Sequence, residues 1–349
     1  MCNIAGYIGN RDAAPILIDM IKKQSGYNGG YYTGIATIHE GKLYTAKVLG
    51  DVDRLLSLTG AINLPGKIGF IHSRSDSGGN WTWAHPFCSN SKDFAYIANG
   101  YRGVFKNRDD NGYAQMLEAA GEQFESAADN MSERYPHLKN GKAIHASDLV
   151  CHLSDYIRKN KHVSAAESLG EAYAMFPSEA VGLAICTYEP DRISFARLNM
   201  PMMLARTESE VFMGTASLSF PCDRVYKSIS TLPGGYFGYV TIDSSHLVPL
   251  KTDSIVAEIT PKLLHDGYDQ LMEVLNNSKE FVDFQHLRDA LNGLFPEGKL
   301  AQREHVVYEF LRNQLEKKTI EVKPFVEPGA KDRDNDSITT TRFKVRLVK

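Results

Sequence analysis

The chain has little of what would assign it to a special class. Its five cysteines, Cys2, Cys88, Cys151, Cys186 and Cys222, are odd in number and scattered, with no C-x-x-C pair and no histidine at zinc-ligand spacing. That pattern suggests neither a disulfide framework nor a metal site. No apolar run approaches the roughly 20 residues of a membrane span, and the start lacks a basic leader ahead of an apolar core. The expectation is a cytoplasmic protein that does not enter the membrane. Neither sign of charge dominates, with 39 Lys plus Arg against 42 Asp plus Glu and a formal net charge of -3. There is thus no electrostatic case for nucleic acid or anionic lipid as a general partner. No internal repeat is visible, and no P-loop or dinucleotide fingerprint marks the C-terminal segment. No cofactor is expected.

What is present reads as two units, the natural prior for 349 residues. Apolar alternation predicts strands over 4–8, 34–39, 42–48, 67–72 and 94–98, and again over 181–188, 192–198, 201–207, 211–215 and 235–242. Helical spacing predicts helices over 13–23, 113–124 and 146–159. Strands, a helical middle and strands again indicate an α+β class with two antiparallel sheets and helices against them. The pattern changes near Lys251-Thr252-Asp253-Ser254, which divides the chain into domains 1–253 and 254–349.

The second domain predicts helices over 261–276, 284–294 and 302–317. A hairpin follows in which Ile320 and Val322 face Phe343, Val345 and Leu347 across a charged, mobile loop over 327–336. Three helices and a hairpin resemble a winged-helix module, a fold that often reads DNA. From Ser254 onward, however, 15 basic residues stand against 16 acidic ones, where a DNA reader presents an excess of base. Docking a protein partner or pairing two copies fits this balance better than binding nucleic acid.

The chemistry begins at Met1-Cys2-Asn3-Ile4-Ala5-Gly6-Tyr7. Removal of Met1 leaves a thiol and a free α-amine on one residue, with ordinary pKa values of roughly 8.5 and 7.7–8.0. Such a pair can attack an amide carbonyl and return the proton to the departing nitrogen. Three further segments follow. His72-Ser73-Arg74-Ser75-Asp76-Ser77-Gly78-Gly79 offers an arginine fork for a carboxylate. Ala98-Asn99-Gly100 offers a carboxamide and a glycine N–H as oxyanion donors, although Asn-Gly is also a common hairpin turn. Ser147-Asp148 opens a helix, where Asp148 can accept an ammonium group or cap the helix. Together they describe one ligand, an α-amino acid with a side-chain amide.

These ordered motifs resemble the class II glutamine amidotransferases, which are N-terminal-nucleophile hydrolases, and in particular the glutaminase domain of glucosamine-6-phosphate synthase. The likeness spans about residues 2–242 and implies a four-layer αββα sandwich. It also implies Cys2 as nucleophile, Arg74 as the holder of the glutamine α-carboxylate, and Asn99 with Gly100 as the oxyanion hole. Ser77 stands in for a threonine hydroxyl near the carboxylate. Asp148 aligns with the aspartate that binds the α-amine or, by helix register, with a neighbouring glutamate. His85, in Ala84-His85-Pro86, takes a structural role.

Four departures from the family are evident. Asn3 replaces a glycine, and Asn28 stands where an arginine is common. The Arg-Trp-Ala-Thr-His stretch becomes Arg74-Ser75-Asp76-Ser77-Gly78, which removes an aromatic wall and an imidazole and predicts a more open or reshaped pocket. The sugar-phosphate isomerase domains of the synthase are absent, so the ammonia is expected to reach a separate acceptor synthase. The alternative is a catalytically silent protein that senses an amino acid on the same scaffold. A DNA-binding regulator is a third.

Overall fold

Along β1 (Asn3–Ile8) both faces are buried, with Ile4 and Ile8 on one side and Ala5 and Tyr7 on the other. A strand covered on both faces belongs to a middle layer. The computed structural model describes residues 2–76, 78–101, 109–176, 179–253, 258–295, 302–331 and 337–348. In chain order β1 is followed by α1 (Ala13–Ser25), β2 (Tyr32–His39), β3 (Lys42–Leu49), α2 (Val52–Leu58), β4 (Ile68–Arg74), β5 (Phe87–Cys88) and β6 (Phe94–Tyr101). Next come α3 (Asp110–Ala119), α4 (Ala146–Lys161), α5 (Ala165–Tyr173), β7 (Glu179–Cys186) and β8 (Ile193–Arg197). The first region ends with β9 (Met203–Arg206), β10 (Val211–Gly214), β11 (Ser228–Thr231), β12 (Tyr236–Val240) and β13 (Ser245–Pro249).

Two antiparallel sheets result, one ordered β11-β9-β10-β1-β4-β2-β3 and the other β13-β12-β8-β7-β6-β5. Ile4, Phe70 and Met213 from the first meet Ile97, Leu183 and Phe195 from the second to form the central core. The outer face of the first sheet carries Ala5, Tyr7 and Phe212 against Leu17 and Ile21 of α1. The outer face of the second carries Tyr96, Ala184 and Ala196 against Leu149, Leu153 and Leu169 of α4 and α5. This is the expected αββα sandwich.

Elements missed by periodicity have local causes. The Ser164/Glu167 capping box starts α5, and the Asp51 carboxylate caps α2. The edge strands β11 and β13 are almost wholly exposed, so burial imposes no apolar alternation on them.

The C-terminal region runs α6 (Pro261–Asn277), β14 (Val282–Asp283), α7 (Phe284–Ala290), α8 (Gln302–Glu316), β15 (Ile320–Lys331) and β16 (Ser337–Leu347), with sheet order β14-β16-β15. This is the winged-helix layout. Two expectations are corrected. α7 ends at Ala290, followed by a single 3-10 turn at Asn292–Leu294. The loop expected over 327–336 is in large part strand, because Glu327 pairs with Thr340 and Lys331 with Ser337. Residues 332–336 lie outside the described residues.

The module does not stand apart. Tyr27 and Ala216 of the first region enter its core. α8 places Val306, Val307, Phe310 and Leu311 in that core, while Gln302 and Tyr308 are buried in contact with Asn199 and Asn3. With most of its residues buried against the first region and the module's own core, α8 is not free to lie in a DNA groove. Among the described residues no helix is long and apolar enough to cross a membrane.

The docking is tight at Gly26, whose carbonyl accepts from Phe343 N at 2.8 Å and where an added Cβ would overlap the Phe343 ring. Gly26→Val should therefore cost about 1–3 kcal/mol of stability and speed proteolysis of the hairpin, as measured by thermal melts and limited digestion.

Candidate active site

The two sheets bring distant segments to one point. β1 and β4 run antiparallel with Asn3 opposite Ser73, so Cys2, the residue before β1, lies beside the end of β4 where Arg74 sits. From the facing sheet, the end of β6 delivers Asn99 and Gly100, which pair with Val181 and Ala180 of β7. The Asn-Gly pair is thus strand rather than hairpin turn. Gly100 has a φ of +105°, a conformation that favours glycine.

Asn99 holds the main chain of Cys2 in both directions. Its Oδ1 accepts from Cys2 N at 3.2 Å and its Nδ2 donates to Cys2 O at 2.6 Å. A carboxamide nitrogen carries two protons, so the second Nδ2 proton is not needed for this pair. The half-buried thiol lies 3.8 Å from Ser75 Oγ. Burial pushes its pKa up, but the nearby His72 imidazole outweighs it and brings the thiol down to about 6. His72 is fully buried on β4, and its Nε2–H donates to Ala98 O at 2.9 Å, which leaves Nδ1 without a hydrogen-bond partner. Sequence reasoning quoted His72 yet gave it no role. The sequence signal was its place two residues before Arg74 on β4; across the sheet it lies opposite Ile4, two residues from Cys2.

Cys2, Arg74, Ser75, Asn99 and Gly100 line one cavity of about 340 Å³, a size suited to a small ligand. The Arg74 guanidinium is buried over the Tyr32 ring at 4.4 Å and donates to Trp83 O and Gly78 O at 3.1 and 3.3 Å. Tyr96, Tyr135, Phe176, His85 and His145 line the cavity from other elements. His85 packs on His72 with ring centroids 4.0 Å apart, and burial among positive neighbours holds it well below the ordinary histidine pKa.

Asp148 is not among the lining residues. Its buried carboxylate accepts from Ser126 N and Oγ at 3.1 and 2.7 Å, and His152 Nε2 lies 3.4 Å away. Ser126 Oγ also accepts from His145 N at 2.8 Å, so Asp148 braces the cavity wall from behind. The carboxylate that does line the cavity is Asp110 in the first turn of α3. The sequence signal was Asp109-Asp110, of which Asp109 caps the helix. Ser77, expected near the substrate carboxylate, lies outside the described residues.

Two predictions follow from these groups. Cys2 alkylation should rise through pH about 6, and in His72→Asn its midpoint should move up toward the ordinary thiol value of about 8.5, as read by peptide mass spectrometry. Burial disfavours charge on His152, but Asp148 and Glu122 overcome it and raise its pKa from 6.5 to about 9. The stability this adds is fully present below pH 6.5 and is lost as pH rises through about 9. Tm should fall across that window, and less steeply in His152→Ala.

No protein-family model matches the chain. Among curated proteins, a glutamine--fructose-6-phosphate aminotransferase [isomerizing] of Chlorobaculum tepidum is 30% identical over 250 residues, covering 70% of this chain and 36% of that protein. The protein of the same name from Pyrococcus horikoshii is 26% identical over 305 residues, covering 81% and 45%. The chain spans less than half the length of these relatives. Among solved structures, the glutamine phosphoribosylpyrophosphate amidotransferase of B. subtilis matches with a TM-score of 0.58 at 14% identity, over 80% of this chain and 60% of that one. At that identity the match shows a shared fold.

Proposed function

We propose that this chain, which belongs to the class II glutamine amidotransferases, hydrolyses the side-chain amide of glutamine through a thioester on Cys2. The observation that carries the reading is the two-way hydrogen bond between Cys2 and Asn99 at a cavity that Arg74 also lines. It supports a nucleophile and an oxyanion donor aimed at one carbonyl.

In this scheme Met1 is removed and the α-amine of Cys2 takes the thiol proton, while His72 favours the thiolate. Sγ attacks the amide carbon, and the oxyanion is held by the second Nδ2 proton of Asn99 and by Gly100 N–H. The α-amine passes its proton to the leaving nitrogen, the C–N bond breaks, and ammonia departs. Water then attacks the thioester, releasing glutamate and restoring the thiol. Arg74 takes the α-carboxylate. Asp110, rather than Asp148, takes the α-ammonium.

The ammonia goes to an ammonia-accepting synthase domain or partner, a reading supported by the likeness to the glutamine--fructose-6-phosphate aminotransferases. The silent-sensor alternative is not favoured. The altered loop that motivated it still leaves Arg74 in the cavity wall.

Intact-mass analysis after incubation with 6-diazo-5-oxo-norleucine tests the scheme. Loss of Met1 and one adduct that disappears in Cys2→Ala is the expected result, and an unlabelled, processed protein overturns glutamine as substrate. Arg74→Lys should raise KM for glutamine about 100-fold, because an ammonium cannot replace the bidentate fork. Steady-state glutamate release measures it.

A further inference from the structure

The residue after the nucleophile is tied to the C-terminal module. Asn3 occupies the position where the family carries glycine, and its fully buried carboxamide is bonded at both ends. Oδ1 accepts from Tyr308 OH at 2.8 Å, and Nδ2 donates to Asn28 O at 2.6 Å. Tyr308 is itself fully buried on α8, packed against the rings of Tyr27 and Phe284.

The neighbouring residues of α8 grip the same region. His305 Nδ1 donates to Thr215 O at 3.1 Å, and Thr215 exchanges bonds with Ile4 through Oγ1 at 2.8 Å and through its main-chain N at 3.1 Å. Glu309 accepts from Ser217 N at 2.8 Å. One face of one helix therefore holds the start of β1 and the segment beside it.

The hairpin reaches the other side of the site. Thr340 Oγ1 donates to Gly30 O at 2.6 Å and Arg342 Nη1 to Ser25 O at 3.2 Å. Gly30 N in turn donates to Ser73 Oγ at 2.8 Å, and Tyr31 N to Arg74 O at 3.0 Å. The segment that backs Arg74 is thus splinted by β16.

We infer that Tyr308, acting through Asn3, is a positioning residue for Cys2, so that docking of the C-terminal module sets the reactivity of the nucleophile. Both main-chain polar groups of Cys2 go to Asn99, on the facing sheet. Its side chain reaches Ser75 Oγ at 3.8 Å, and its main chain continues directly into Asn3. With the Asn3 side chain locked at two ends, the first residues of β1 cannot turn, and Sγ stays beside His72. Without the Tyr308 bond, a buried Oδ1 is left unpaired, and the chain must shift to satisfy it. The inference rests on the reading of Cys2 as nucleophile. It assigns to the module a part in that residue's chemistry, distinct from docking an acceptor.

The test uses the full chain with the exposed Cys222 changed to serine, since Cys88, Cys151 and Cys186 are buried. Two rates are measured below the melting temperature: iodoacetamide alkylation of Cys2 and glutamine turnover. Tyr308→Phe should lower both alkylation and kcat about tenfold, with KM within about twofold of the parent. Asn3→Gly should cause a similar loss, and the double variant should lose no more than Asn3→Gly alone. A folded Tyr308→Phe protein with parental alkylation and kcat overturns the inference. If Tyr308→Phe does not fold, Asn3→Gly decides by the same criterion. A parent that alkylates at Cys2 yet releases no glutamate refutes the glutaminase reading, and the alkylation rates then judge this inference by themselves.

Discussion

The hydrogen bonds that the Asn99 carboxamide makes to the N–H and C=O of Cys2 join the two sheets at the end where the cavity opens. Cys2 leads into the central strand of one sheet, and Asn99 lies near the end of β6, beside the edge strand β5 of the other. If β6 paired with β7 one residue out of register, its side chains, Asn99 included, would turn to the opposite face, and neither bond could form. The placement of Sγ beside His72, the reach of Arg74 from β4 and the approach of Gly100 all presuppose this junction.

Around it the polar groups are used in layers. His72 fixes Nε2 on a carbonyl, and its ring lowers the thiol pKa against the effect of burial. Asp148, His152 and Glu122 form a charged set behind the wall, and each compensates the burial of the next. Such a set orients His145 and the start of α4 without touching a ligand.

The C-terminal module shows how little a topology says about use. Its helices and hairpin follow the winged-helix order, yet the helix that would enter DNA is buried, and the hairpin lies along residues 25–30. Near-neutral charge in the sequence pointed away from DNA. What the module does touch was invisible there, because Tyr308 and Asn3 are 305 positions apart.

From the sequence alone came the layered α+β architecture, the long central strands, the helices with clear apolar spacing, and Cys2, Arg74, Asn99 and Gly100 as a set. These were legible because burial writes a period of two or 3.6 into the chain, and because a thiol, a guanidinium and an Asn-Gly pair each have few chemical substitutes. Two-residue strands, exposed edge strands and the short capped helix α2 left too weak a pattern. Tertiary structure alone decided that Asp110 and not Asp148 lines the cavity, that aromatic rings from distant elements replace those missing beside Arg74, and that α8 rests on the start of β1. Helical spacing shows that a carboxylate lies in a first turn, but only the packing of that helix against its neighbours determines whether it faces a ligand or a serine.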